Sequence, residues 1–116
     1  MSAIRPKELE ALLAKRPAPI VIDLRSRAEF EAGSIAGARN LPWADDLAAR
    51  LAGELERTTP IVVVCAWGHR SVVASIALRR EHFRDVRFLD GGMESWGLAG
   101  LPIVRVERRA ESAVTR

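Results

Sequence analysis

The segment that decides the fold covers residues 60–71 and reads Pro60-Ile61-Val62-Val63-Val64-Cys65-Ala66-Trp67-Gly68-His69-Arg70-Ser71. Its first half is an unbroken run of aliphatic, β-branched side chains, which is typical of a central strand buried on both faces of a parallel sheet. Ser71 can cap a following helix that runs to about Glu81, because its hydroxyl can accept a hydrogen bond from a free backbone N–H group. The segment therefore predicts a central strand, a loop that contains Cys65 and Gly68, and a helix.

Helices and strands alternate on both sides of this segment. Before it, the pattern predicts a helix at 5–16, a strand at 20–24, a short helix at 26–32, a brief extended piece at 39–41 and a helix at 44–56. After it come a strand at 86–89, a break at Gly91-Gly92 and a last helix at 93–98. This alternation indicates an α/β fold with a mostly parallel central sheet flanked by helices.

Length and charge limit the class of protein. With 116 residues, of which 48% are hydrophobic and 28% charged, the chain has the composition of one soluble globular domain. The formal charge is +3, but residues 105–116 carry four Arg and two Glu, so the rest of the chain has a net charge of only +1. No basic stripe with interleaved aromatic residues is visible, which argues against nucleic-acid binding. We predict a folded domain over residues 1–104 and a polar, flexible tail over residues 105–116.

Cysteine content and hydropathy point to a reducing compartment. The single cysteine excludes an intramolecular disulfide and a multi-thiolate zinc site. The N-terminus shows no basic segment followed by an apolar stretch, as a secretory signal would have. The longest apolar run, residues 60–68, is too short to cross a bilayer. We expect a soluble, cytoplasmic protein without membrane association, in which a lone thiol stays reduced.

Cys65 is the candidate reactive group, because it follows the predicted central strand. In open α/β sheets, ligands bind outside the carboxyl ends of the strands. Backbone N–H groups of the loop and the positive end of the following helix would stabilise a thiolate there. Gly68 permits a tight curve of the loop, and Arg70 adds a fixed positive charge. The alternative is that Cys65 is simply a small, buried apolar side chain.

Four segments of the chain resemble the rhodanese family, and they occur in the family's order. Residues 65–71 resemble its Cys-x-x-Gly-x-Arg-Ser active-site loop, and residues 33–42 are similar to its Gly-His-Ile-x-Gly-Ala-x-Asn-Ile-Pro signature. The family's Asp-x-Arg…Glu-Phe segment is matched by Asp23-Leu24-Arg25 followed by Glu29-Phe30. Its Leu-x-Gly-Gly…Trp ending resembles Leu89-Asp90-Gly91-Gly92 followed by Trp96. The resemblance covers about residues 5–104 and implies a rhodanese-like, three-layer α/β fold.

The resemblance also implies a sulfurtransferase. In rhodaneses the loop cysteine takes a sulfur atom from a sulfane donor, holds it as a persulfide and passes it to a thiophilic acceptor, which is covalent catalysis in two half-reactions. Carried over to this chain, Cys65 is the nucleophile, and the substrate-binding loop consists of Ala66, Trp67, Gly68, His69, Arg70 and Ser71. No metal and no organic cofactor is implied. The expected partners are small-molecule sulfur donors and acceptors or a protein persulfide, and the expected state is a monomer or weak dimer.

Several side chains around the loop have two interpretations. Arg70 either steers an anionic donor such as thiosulfate or fixes the loop by pairing with a carboxylate, for which Asp23 is the candidate. Arg25 supports the site or belongs to a surface pair, and Glu29 is a helix cap. His69 is a proton-donating loop residue or is simply exposed.

The tryptophans differ in their expected roles. Trp67 shapes the pocket mouth, belongs to a partner surface or simply packs, whereas Trp96 is predicted to lie in the core. His82 is predicted to be a solvated residue at a helix end.

Two departures from the family pattern bear on the substrate. Ser34 replaces a common His, which we expect to matter only for structure. Ala66 replaces a common Arg, which removes one positive charge and favours a persulfide donor over thiosulfate.

Three alternatives to a rhodanese-type enzyme remain open. One is a non-catalytic or sulfur-relay module that binds a protein partner. The others are a phosphatase and an arsenate reductase on the same fold. Related phosphatases place five residues between Cys and Arg, whereas four separate Cys65 from Arg70, and this shorter loop suits a sulfur atom better.

Overall fold

Five parallel strands form the sheet in the computed structural model, which describes residues 2–106. The strands are β1 (Ser2–Ile4), β2 (Ile20–Asp23), β3 (Arg39–Asn40), β4 (Ile61–Val64) and β5 (Val86–Leu89). Their spatial order is β1-β5-β4-β2-β3, so β4 is the middle strand, as its sequence predicts. The helices are α1 (Pro6–Leu13), α2 (Arg27–Ala32), α3 (Leu47–Glu54), α4 (His69–Arg80) and α5 (Gly92–Leu98).

Both faces of β4 are buried, which explains its unbroken apolar sequence. Ile61 and Val63 pack into one apolar cluster together with side chains of α3 and α4. Val62 and Val64 point to the other face, where α1 and α5 contribute Leu9 and Trp96. Burial of each such aliphatic side chain stabilises the fold by about 1.5–3 kcal/mol. The structure is therefore a three-layer α/β fold, and the placement of Trp96 in the core is confirmed.

Helix α2 begins as its sequence predicts. The backbone N–H of Glu29 donates to Ser26 Oγ over 3.2 Å, and the backbone N–H of Ser26 donates to Glu29 Oε1 over 3.2 Å. This reciprocal pair satisfies two N–H groups that the first turn of a helix otherwise leaves free. The helix ends at Gly33.

Several predicted elements differ from those in the structure. Helix α4 begins at His69 rather than after Ser71, because Gly68 adopts a φ of +107° and turns the chain directly into the helix. Ser71 is thus a buried residue of the first turn and not the cap. Helix α3 is shorter than predicted, since Leu55 already has extended backbone angles. Strand β1 was not predicted, and its pairing with β5 places Ile4 beside Leu89.

The segment after α5 returns to α2. Ser34 and Val104 form an antiparallel bridge with N–H···O distances of 2.9 and 2.8 Å, and the N–H of Val106 donates to the carbonyl of Glu31. Residues 107–116, which hold most of the predicted flexible tail, lie outside the described residues. Within residues 2–106, no helix is long and apolar enough to cross a membrane.

Candidate active site

Cys65 lies directly after β4, at the carboxyl edge of the sheet. Its thiol is buried, and the backbone N–H of Gly68 donates a 2.9 Å hydrogen bond to Sγ. The Cys65 thiol lies 3.5 Å from Ser71 Oγ, to which it donates, and that hydroxyl donates to the carbonyl of Gly68 over 3.0 Å. The loop therefore curls around the sulfur, and the positive φ of Gly68 makes this close approach possible.

An open pocket of about 270 Å³ lies against this loop. It is lined by residues of two chain segments: Leu24, Arg25 and Glu29 on one side, and Cys65, Ala66, Trp67, His69 and Arg70 on the other. The side chain of Trp67 is 63% exposed, and His69 and Arg70 are exposed as well. The sulfur thus sits beside a solvent-accessible space large enough for a small molecule.

Asp23 pairs with Arg25, and this finding corrects the prediction that it holds Arg70. The Arg25 guanidinium donates from Nε to Oδ1 over 3.0 Å and from Nη2 to Oδ2 over 2.9 Å. A third bond runs from Nη2 to the carbonyl of Gly33 over 2.7 Å. The Asp23 side chain is 1% exposed and that of Arg25 11%, so Arg25 does not belong to a surface pair. The pair instead ties the end of β2 to the end of α2.

Arg70 is the positively charged group left facing the pocket. Within residues 2–106, no hydrogen bond or ion pair fixes its guanidinium, so its charge is available to a ligand. Glu29 shares the pocket, and hydrogen bonds from Ser26 and the nearby charges of Arg25 and Arg70 hold the pKa of its carboxyl below the usual value. The carboxylate of Glu29 therefore adds a negative charge opposite Arg70.

The structure brings most of the predicted site residues together. Ala66, Trp67, His69 and Arg70 line the pocket with Cys65, whereas Gly68 and Ser71 act beneath it through bonds at the sulfur. Arg25 lines the pocket, and Asp23 supports it from behind. His82 lies away from the site, exposed just after α4, as predicted.

Two parts of the site were missed at the level of sequence. Leu24 and Glu29 line the pocket, although only their neighbour Arg25 was assigned to it. The N-terminus of α5 also contacts the cysteine loop from behind, where Met93 N–H donates to the carbonyl of Cys65. The Gly91-Gly92 dipeptide was the one sequence signal of that contact, because paired glycines allow two stretches of backbone to approach closely.

The fold and site define an α/β domain with a cysteine loop at the carboxyl end of its central strand. The chain belongs to the rhodanese-like domain family, whose sequence profile matches residues 5–99. It is 35% identical over 91 residues to the thiosulfate sulfurtransferase GlpE of Pseudomonas putida, an alignment covering 78% of this chain and 81% of that protein.

Two further relatives extend the comparison. The chain is 46% identical over 96 residues to the HTH-type transcriptional regulator Rv0324 of Mycobacterium tuberculosis, covering 79% of this chain. It spans only 41% of that regulator's length. Among solved structures, the Alr3790 protein from Anabaena sp. superposes with a TM-score of 0.80 at 28% identity, covering 95% of this chain and 98% of that one.

Proposed function

We propose that the chain is a sulfurtransferase that carries a sulfane sulfur as a persulfide on Cys65. The observation that carries this proposal is the 2.9 Å hydrogen bond from the Gly68 N–H to Sγ, at the edge of an open pocket that Arg70 lines. An N–H group aimed at a sulfur stabilises its anionic form, which is the nucleophile. The similarity to a thiosulfate sulfurtransferase supports the same chemistry.

In the first half-reaction, the Cys65 thiolate attacks the outer sulfur of the donor. A new S–S bond forms to Cys65, and the old bond to the donor breaks. The leaving group departs with the electron pair, as sulfite from thiosulfate or as a thiolate from a persulfide. Sγ is buried, and the Gly68 N–H already points at it. The loop therefore does not need to reorganise when the negative charge on the Cys65 sulfur changes during the reaction.

In the second half-reaction, a nucleophilic acceptor attacks the terminal sulfur of the persulfide. The S–S bond to Cys65 breaks, and Cys65 leaves as a thiolate that the Gly68 N–H again stabilises. Cyanide as acceptor gives thiocyanate, and a thiol gives a new persulfide. No net oxidation occurs, since each half-reaction moves one sulfur atom between two nucleophiles.

The charges of the pocket favour a persulfide donor over thiosulfate. Arg25 is neutralised by Asp23, Ala66 supplies only a methyl group, and Glu29 opposes the charge of Arg70. Thiosulfate carries two negative charges and would meet a pocket with little net positive charge. A persulfide donor carries at most one negative charge on its reacting sulfur atoms.

A protein partner as donor or acceptor is the second candidate. Trp67 is 63% exposed beside the pocket, and large aromatic side chains are enriched at the centres of protein interfaces. In this sulfur relay Cys65 still forms a persulfide, but transfer with small molecules is slow.

Intact-mass measurement tests the proposal. The reduced protein is incubated with thiosulfate or with a small-molecule persulfide, and cyanide is then added while thiocyanate is followed. We expect a mass gain of one sulfur atom that cyanide removes, with the persulfide donor reacting faster. Cys65→Ser, checked for folding by thermal denaturation, should show neither mass gain nor thiocyanate. Absence of the sulfur adduct with both donors would refute the proposal.

A further inference from the structure

The N-terminus of α5 contacts the back of the cysteine loop through two backbone hydrogen bonds. The N–H of Met93 donates to the carbonyl of Cys65 over 2.8 Å, and the N–H of Glu94 donates to the carbonyl of Ala66 over 3.0 Å. In a planar trans peptide, the carbonyl of one residue and the N–H of the next point in opposite directions. Holding these two carbonyls toward α5 therefore turns the N–H groups of Ala66 and Trp67 away from α5.

We infer that α5 is a positioning element, which sets the direction of the loop N–H groups that stabilise sulfur on Cys65. Ala66 and Trp67 line the pocket, whereas no residue of α5 does, so the side away from α5, to which we assign these two N–H groups, is the side on which substrate enters. They then add to the N–H of Gly68, which already donates to Sγ. The helix acts through the loop and does not touch substrate itself.

Gly92 makes the approach of α5 to the loop possible. It is buried, has a φ of +63°, and a Cβ atom there would lie 2.3 Å from the carbonyl oxygen of Cys65 and 2.6 Å from that of Ala66. Both atoms belong to backbone, so a side chain could be accommodated only by moving the loop or the helix. Met93 follows Gly92 in the first turn of α5, where backbone N–H groups have no partner within the helix, so the Met93 N–H can donate to the loop.

Helix α5 is itself firmly anchored. Trp96 is 2% exposed in the apolar cluster under β4, and its indole N–H donates to the carbonyl of Pro102 over 2.9 Å. Ser95 Oγ donates to the carbonyl of Gly92 over 3.0 Å. A rigid support of this kind lets the loop keep its geometry while the charge on sulfur changes.

The inference rests on the proposed function, and it is tested by comparing Met93→Pro with Met93→Ala. Proline removes the N–H that donates to the carbonyl of Cys65. The first turn of a helix tolerates proline, because the N–H groups there have no partner within the helix. Alanine removes the same side chain but keeps the N–H. Because Cys65 is the only cysteine of the chain, iodoacetamide alkylation followed by mass reports on that thiolate alone. The rate is measured from pH 5 to pH 10 for both variants.

We expect Met93→Pro to be alkylated about tenfold more slowly than Met93→Ala at neutral pH and to converge with it at high pH. The reason is that the Cys65–Ala66 peptide is no longer held by α5, so the Ala66 N–H is no longer kept turned toward the thiolate and one charge-assisted hydrogen bond is lost. Persulfide formation should fall in parallel. Equal alkylation rates at neutral pH would overturn the inference. Alkylation does not require sulfur transfer, so a rate difference without any persulfide in the wild-type protein would refute the proposed function alone.

A second pair of variants decides the question if Met93→Pro does not fold. Gly92→Ala places a methyl group against the two loop carbonyls, whereas Gly97→Ala adds a methyl group on the same helix with nothing within 4 Å. Gly37→Ala controls for the strain of a positive φ, since Gly37 has a φ of +83° with free space around it. Slower alkylation and sulfur uptake in Gly92→Ala, but not in the two controls, supports the inference. A loss in Gly37→Ala equal to that in Gly92→Ala contradicts it.

Discussion

Replacement of Arg25 by Met provides a sharp test of how the pocket is held together. The substitution keeps most of the side-chain length but removes every side-chain donor of Arg25. Asp23, which is 1% exposed, then loses the bonds at 3.0 and 2.9 Å from the guanidinium and keeps the 3.0 Å bond from the Arg25 backbone N–H. A buried carboxylate is left without a counter-charge, and the carbonyl of Gly33 loses a donor as well.

The structure gives the size of the expected effect. Removing one partner of a buried ion pair costs about 3–5 kcal/mol. We take the lower end, because the side chain of Arg25 is 11% exposed and solvent screens part of the charge. For a domain of this size, about 3 kcal/mol corresponds to a fall in Tm of about 12 °C or more. Arg27→Met in the Arg27–Glu31 pair, where the arginine side chain is 79% exposed, should cost less than about 1 kcal/mol.

Thermal and urea denaturation of the two variants measure this difference directly. Adding Asp23→Asn to Arg25→Met should recover part of the lost stability, since the double variant no longer buries an unpaired charge. If the Tm of Arg25→Met is as high as that of Arg27→Met, solvent screens the Asp23–Arg25 pair. That result would contradict the expectation that loss of this buried pair is costly.

Two further substitutions test the charges of the pocket. Arg70→Met should lower kcat/KM for thiosulfate by about tenfold to a hundredfold, because a charge-assisted contact to the sulfur donor is lost. Arg80 is exposed on the same helix, and Arg80→Met should leave kcat/KM unchanged. Similar values of kcat/KM for both variants would assign Arg70 no role in substrate binding. Glu29→Gln should lower Tm near pH 7, and this difference from wild type should disappear toward pH 3. The reason is that the pKa of the Glu29 carboxyl is lowered below 4.5 in the folded protein, so its ionised form stabilises the fold above that pH and the stabilisation is lost as the carboxyl is protonated. A Tm difference between Glu29→Gln and wild type that does not shrink on acidification would contradict that assignment.

The central part of the fold could be predicted because its signals are local. The run from Ile61 to Val64 is apolar and β-branched at every position, which is typical of a strand covered on both faces. The capping box of Ser26 and Glu29 is equally local, since both members lie within one helical turn. The position of the reactive cysteine loop could be predicted because the loop directly follows such a strand in the sequence.

The missed features depend on contacts between distant residues. Strand β1 has only three residues and is a strand because β5 lies beside it, with Ile4 opposite Leu89. The partner of Asp23 was assigned wrongly because Arg25 and Arg70 both fit the pattern of charges. Which guanidinium reaches the carboxylate depends on how the chain turns after β2, and sequence spacing does not determine that turn.

The cysteine loop depends on supports outside its own sequence. Fixing the backbone of a residue costs about 1–2 kcal/mol in conformational entropy, so a loop of several residues held in one geometry needs compensating contacts. Here α5 supplies two hydrogen bonds from behind, α4 continues the loop as a helix, and the Asp23–Arg25 pair fixes the opposite wall of the pocket. A cysteine loop transplanted alone into another parallel α/β sheet should therefore lose its stabilisation of sulfur, whereas one transplanted together with residues 89–98 should retain more of it.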